Sequence, residues 1–373
     1  MEQYYIDTKM GVEKEYLYWL FQIPGMGAVT LRRLWERFQS FQKIYNMEGS
    51  FLEQQGYLTK RTADHFDRWK QNLSDKREEY KNLSKKGIQF ISVLDETYPN
   101  RLRNLYDFPM GLFVKGSLPR DQIPSVALIG ARDCSNYGIQ VAQRLAEDLG
   151  RAGVQVISGM ALGVDGAAHQ GTLRANGSTF AVLGSGVDVC YPRRHWSLYC
   201  QIPEKGGVLS EFCPGQQALP QHFPMRNRII SGLSDVIVVV EAREKSGSLI
   251  TVELGLEQGK EIFAVPGAIT DELSKGCNQL IRQGAGVITA SEDILEYFQI
   301  PGDKTLNPYE KIENGLAKKE KMLYSCLDFK PQFFDKIVEK SGLSAEEVMT
   351  LLVELEWKGS IIQSAGHYYE KKF

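Results

Sequence analysis

The sequence predicts an α/β protein: an extended, Rossmann-like, doubly wound and mostly parallel sheet, flanked by a small helical N-terminal domain and a C-terminal winged-helix domain. Three observations lead there. Short β-branched runs alternate with helical stretches between about residues 88 and 300, apolar residues before that recur at helical spacing, and the end of the chain reads helix, turn, helix, hairpin. The expected divisions are a helical domain over 1–85, a core over 86–300, a linker over 301–315 and a winged helix over 316–373.

In the first block Trp19, Leu20, Ile23, Leu31, Leu34 and Phe38 fall near helical spacing. Within it, "IPGMGAVTLRRL" sets Gly25 and Gly27 between two apolar segments, where glycine permits a tight turn and backbone N–H groups can point outward at a helix start. The turn resembles the helix-hairpin-helix turn of DNA-handling proteins, and Arg32 and Arg33 follow it. A plain turn within a small bundle explains the same residues.

The middle block supplies the strands: "SVALIG" (125–130), "VQVISG" (154–159), "TFAVLG" (179–184), "GVLSEF" (207–212), "DVIVVVEA" (235–242), "EIFAVPG" (261–267) and "GVITA" (286–290). Each is apolar on both faces, which marks strands of a parallel sheet covered by helices. "IQFISV" and "GLFVKG" are candidate extensions. Ligands of such sheets bind beyond the carboxyl ends of the strands, so the polar, glycine-rich loops after these runs should share one rim. On it we expect Arg132, Arg193, Arg194, Arg226 and Arg228, with Ser135, Ser158, Ser185 and Ser248 offering hydroxyls. That set suits a polyanion.

Other chemistries fit less well. "GARDCSNYG" is not G-x-G-x-x-G, and no G-x-x-x-x-G-K-[ST] occurs, which disfavours a dinucleotide cofactor and a P-loop. Asp165 and His169 stand at i, i+4, and Glu211, Glu241 and Glu253 lie near strand ends; capping and structural hydrogen bonds account for such residues as well as acid–base work does. The six cysteines form no C-x-x-C pair, so no metal is expected, and reduced thiols in the cytoplasm are. A net charge of -2 leaves any basic surface local, and no apolar stretch reaches bilayer length.

A resemblance adds to this reading. "DETYPNRLRNLYDFPMGLFVKG", "GARDCSNYG", "SGMALGVDGAAHQGTL", "AVLGSGVDVCYP", "LSEFCPG", "FPMRNRIISGLSD", "SGSLITVELGLEQGKEIFAVPG" and "KGCNQLIRQGA" occur in order over residues 95–295. Together they resemble the DprA/Smf family. The resemblance implies a DNA-processing protein of natural transformation that binds and protects incoming single-stranded DNA, helps load the RecA recombinase, forms a homodimer, needs no cofactor and is not an enzyme. It carries DNA contact to Arg132 of the G-x-R loop, to Arg193 and Arg194 after the Tyr-Pro pair, and to Arg226, Asn227 and Arg228. Ser135 and Ser248 join the candidate set. In some relatives arginine stands where Leu162 is here, so basic contact from that loop is not expected. Dimer and RecA-facing contacts map onto Leu280 and Ile281, for which ordinary helix burial is the competing explanation. Phe223 either stacks on a base or fills the core, and the Arg-Asn-Arg motif either meets phosphate or pairs with acids such as Asp235 or Glu211. The runner-up is an enzyme or sensor for a nucleoside monophosphate, similar to the phosphoribohydrolases, whose loop "SGSLITVE" echoes through Thr251 and Glu253.

The final block carries its second helix in "SAEEVMTLLVELE", which is acidic throughout where a DNA-reading helix needs basic or amide side chains. Lys358, Lys371 and Lys372 are its candidate phosphate contacts, and packing or protein contact is the expected role.

Overall fold

The computed structural model describes residues 2–70, 73–301, 316–328, 331–364 and 366–371. The expected linker therefore lies almost entirely outside the described residues, as does Lys372.

Nine strands form one sheet: β1 (Gln89–Ser92), β2 (Gly111–Gly116), β3 (Ser125–Ile129), β4 (Gln155–Ser158), β5 (Thr179–Val182), β6 (Gly207–Ser210), β7 (Val236–Val239), β8 (Glu261–Ala264) and β9 (Gly286–Val287). Their order is β1-β2-β6-β5-β4-β3-β7-β8-β9. From β6 to β9 the pairs are parallel, with Ala127 of β3 opposite both Ile157 and Ile237. The two early runs do extend the sheet, as antiparallel strands on the β6 edge.

Period-two alternation sends β3 side chains to two cores. Val126 and Leu128 pack under helix Asn136–Arg151, with Val141, Ala142, Leu145, Ala146 and Leu149 along its inner face. Ala127 and Ile129 pack on the other side against Ile229 and Ile230 of helix His222–Leu233. Both faces of the central strands are thereby sealed.

The N-terminal helices build a cluster of their own that also takes in the β1–β2 edge of the sheet. Tyr18 packs edge-on against Phe90 of β1 and Phe113 of β2, with ring centroids 5.5 and 6.1 Å apart, and one cluster joins Leu17, Trp19 and Leu31 to Met110 and Phe113. Gly25 takes a left-handed turn (φ 92°), as its position predicts, against Thr62. Arg32 stacks over Tyr106 and Phe108 at 5.2 and 5.7 Å and donates to the Tyr106 carbonyl at 2.6 Å. Its charge fastens the helical block to the core.

The winged helix is present. Helices Lys318–Cys326, Phe334–Ser341 and Ala345–Trp357 pack with strands β10 (Gln332–Phe333), β11 (Ile361–Ser364) and β12 (Tyr368–Lys371), in order β10-β12-β11, around a core of Leu323, Tyr324, Ile337, Leu352 and Leu355. Gly342 ends its second helix in the left-handed conformation. All six cysteines are free thiols, and among the described residues no helix is long and apolar enough to cross a membrane.

The chain crosses the sheet twice: from β2 it passes over β6, β5 and β4 to β3, then it runs back through β4, β5 and β6 and returns to place β7 on the other side of β3. Loops leaving β3 and β7 must diverge there, and the divergence opens a crevice.

Candidate nucleic-acid interface

That crevice is an open cavity of about 610 Å³. Its walls are the loop after β3 (Gly130, Ala131, Arg132, Asp133), the loop after β7 (Arg243, Lys245, Ser246) and the start of helix Gly247–Glu257. Phe223, Arg226 and Asn227 come from helix His222–Leu233, and Tyr191 closes one side. Four cations (Arg132, Arg226, Arg243, Lys245) against two acids (Asp133, Asp165) leave the lining net positive.

Its floor is buried, and the two charges there, Arg226 and Asp165, are hydrogen-bonded. Arg226 is only 4% exposed; its Nη1 donates to the carbonyls of Gly159 (2.8 Å) and Val182, and its Nε to Asn227 Oδ1 (3.2 Å). Beside it, the buried Asp165 carboxylate accepts from the amides of Gly159 (3.1 Å) and Ala161 (3.3 Å). A Cβ at Gly159 would fall 2.5 Å from the Arg226 guanidinium, so only glycine fits there. Burial pushes Arg226 down to about 10, a shift that Asp165 opposes and Arg132 reinforces, so the guanidinium stays charged at neutral pH. Burial raises Asp165, against the pull of Arg226. His169, one turn beyond Asp165, hydrogen-bonds Thr179 Oγ1 at 2.7 Å, and burial holds its imidazole down at about 3. It is neutral at physiological pH, and it makes no acid–base pair with Asp165.

The rim is exposed and flat-faced. The Arg132 guanidinium lies 5.0 Å over the half-buried Phe223 ring, a cation–π distance, and the Tyr191 ring, 49% exposed, lies 5.7 Å from Phe223 at 38°. Phe223 is therefore not a closed core residue. Arg243 and Lys245 are exposed, and Arg243 makes only a loose pair with Asp133 at 3.8 Å, where both side chains face solvent. Neither cation nor Tyr191 was singled out from sequence. The signal lay in the loop after the fifth apolar run, "EAREKSGSLIT", and in the tyrosine of "CYPRR".

Several expected rim residues sit elsewhere. Arg226 and Arg228 belong to a helix rather than a loop, and residues two apart on a helix diverge by roughly 200°. Arg228 accordingly turns away from the cavity and pairs with the largely enclosed Glu211 and, at 3.1 Å, with Asp107. Glu211, which burial raises and Arg228 lowers, is thus its structural counter-ion. Ser135 caps helix Asn136–Arg151, accepting from Gly138 N at 3.0 Å while its Oγ donates to the buried Glu241 at 2.6 Å. Ser158 and Ser185 donate to the Leu128 and Val189 carbonyls, and of the four expected serines only Ser248 lines the cavity. Arg193 and Arg194 lie exposed on a single 3-10 turn, Arg193–His195, outside that lining; Arg194 borders a separate groove of about 330 Å³ with Arg174 and His195. Leu280 and Ile281 are half-buried and pack on the core beneath helix Lys275–Arg282. Thr251 lines the cavity, whereas Glu253 is exposed and does not. Among the described residues no cluster of His, Cys, Asp and Glu has the makings of a metal site.

Lys358 of the winged helix is held by Glu320 at 2.6 Å, and Lys371 lies 4.8 Å over the Tyr324 ring.

Comparison with known proteins agrees with this architecture. Residues 89–299 match the family described as DNA recombination-mediator protein A, and residues 308–367 match the DprA winged helix domain. The chain is 44% identical to the DNA processing protein DprA of Streptococcus pneumoniae over 220 residues, 58% of this chain and 78% of that protein. It is 36% identical to Protein Smf of Escherichia coli over 360 residues, covering 90% of this chain and 94% of that one. The solved structure of the Streptococcus pneumoniae DprA superposes with a TM-score of 0.66 at 34% identity, over 76% of this chain and 97% of that one. The DprA of Helicobacter pylori, whose structure is described as revealing a single-stranded DNA binding mode, superposes at 0.51 with 29% identity, over 57% and 96%. With the family match covering more than half its length and the Escherichia coli relative aligned almost end to end, this chain belongs to the DprA/Smf family of DNA-processing proteins.

Proposed function

We propose that the crevice between β3 and β7 binds single-stranded DNA without sequence preference. In this reading the chain serves natural transformation in the cytoplasm: as a homodimer it protects the incoming strand and helps load the RecA recombinase, without catalysing a reaction. One observation carries the DNA reading. Arg132 lies over Phe223 beside an exposed Tyr191, at the mouth of an open cavity whose lining is net positive. A strand that is not read base by base needs cations for phosphates and flat groups for bases, and arginine supplies both a fork and a stacking plane. Amides at the start of helix Gly247–Glu257 add further donors. The Helicobacter pylori relative, by its description, binds the same ligand class. The roles in transformation and RecA loading rest on family membership.

The test is fluorescence anisotropy with a short labelled oligothymidylate and a matched duplex across a salt series. The single strand should bind preferentially, with a log-log salt slope of about 0.7 per phosphate neutralised. Arg132→Glu should weaken binding at least ~10-fold and flatten the slope. No single-strand binding at low salt, or an Arg132→Glu protein equal to wild type, would overturn the reading.

A further inference from the structure

The winged helix carries a surface that the DNA crevice does not explain. Helix Ala345–Trp357 buries Val348, Leu351, Leu352 and Leu355, an inner face at ordinary helical spacing. The opposite face of such a helix is normally polar. Here it presents Met349, Val353 and Trp357, spaced four apart and 39%, 53% and 94% exposed. Residues at i, i+4 and i+8 line up along one edge, so the three form a continuous apolar stripe about 12 Å long. A nearly bare indole is costly to leave in water.

Charge decides what covers it. The helix holds four glutamates and no lysine or arginine. Glu347 pairs with Lys319, whereas Glu346 and Glu356, which border the stripe on the helical wheel, have no ion pair among the described residues. Lys358, just beyond the helix, is already taken by Glu320. Phosphate would be repelled from this face, and so would the same face of a second copy.

We propose that the stripe Met349–Val353–Trp357 docks an amphipathic helical segment of a partner protein, with apolar residues three to four apart and lysine or arginine on their flanks. The partner's apolar edge lies along the stripe, and its cations meet Glu346 and Glu356. Two helical turns bury far less than a standard interface, so the complex is a transient one. Trp357 is its anchor, since tryptophan dominates small interfaces.

The experiment uses the full-length chain and a labelled synthetic peptide with leucines at i, i+3, i+4 and i+7 and lysines at their flanks. Two controls accompany it: a scramble of the same composition, and a version with glutamate for lysine. The lysine peptide should bind in the micromolar range and the controls should not. Trp357→Ser and Val353→Thr should each weaken it, the tryptophan variant at least ~10-fold, with thermal melting unchanged because both residues are exposed. The Glu346→Lys, Glu356→Lys double variant should lose the lysine peptide and gain the glutamate one. Equal binding by the scramble, or an undiminished Trp357→Ser protein, would overturn the proposal. So would a change in oligothymidylate affinity or in sedimentation of Trp357→Ser, which would assign the stripe to nucleic acid or to a second copy.

Discussion

Arg132 and Arg226 border the same cavity, and their environments differ in every respect that matters. Arg132 is exposed, has a ring beneath it and keeps its donors for a ligand. Arg226 is buried, with two backbone carbonyls and a neighbouring carboxylate field consuming its charge. Floor and rim thus use one residue type for two purposes. The floor cation ties the end of β5 and the loop after β4 to helix His222–Leu233, while the rim cation is available to a polyanion. A buried cation with its hydrogen bonds already satisfied cannot be lent to a phosphate without leaving its partners bare.

The sharpest way to break this division is Arg226→Met. It leaves two buried carbonyls without a donor and the Asp165 carboxylate without its neighbouring cation, and it should cost about 3–5 kcal/mol of stability. Urea unfolding checks this. A protein of full stability that has lost oligothymidylate binding would move Arg226 to the rim.

A second prediction sharpens the floor by its pH dependence. Burial, reinforced by the nearby Arg226 guanidinium, holds the His169 imidazole down at about 3 from an ordinary 6.5. A lowered histidine stabilises the fold above its unfolded value and loses that contribution as pH falls, because the unfolded chain takes the proton first. Between pH 7 and pH 5 the loss should be about 2 kcal/mol. Asp165 and Glu211, raised by burial, act with the opposite sign: their contribution is full at low pH and is lost as pH rises. Urea titrations of wild type and His169→Gln at pH 5, 6 and 7 separate the two. The variant should be less sensitive to acid, and identical pH profiles would show that His169 does not sit in the floor's field.

The smallest effect belongs to the rim. Tyr191→Ala removes an exposed ring and should change stability by less than about 0.5 kcal/mol. It should weaken oligothymidylate binding by about 1 kcal/mol, roughly 5-fold, and leave the salt slope intact because no charge is removed. A variant that melts early instead would make Tyr191 part of the floor.

Much of the fold was legible because its signals are local. Apolar runs such as "VQVISG" and "DVIVVVEA", buried on both faces, mark parallel strands, and each contains one, Gln155–Ser158 and Val236–Val239. The crevice followed from strand order, and Arg132, Phe223, Asn227 and Ser248 were found in its walls. The Arg-Asn-Arg motif divides between its two readings, because helical geometry leaves Arg226 at the cavity floor and turns Arg228 to its ion pair with Glu211. Tyr191, Arg243 and Lys245 were missed because nothing in their own segments says that chain crossing brings them to the same cavity.

What the sequence by itself determined is therefore the set of elements, the family and the chemistry gathered at the strand ends, since periodicity, glycine placement and motif order are properties of neighbouring residues. Which arginine faces a ligand and which holds the core together was decided only in three dimensions. The sign of a cation is written in its codon, but its availability depends on acceptors elsewhere in the chain, for Arg226 two carbonyls that lie 44 and 67 residues away.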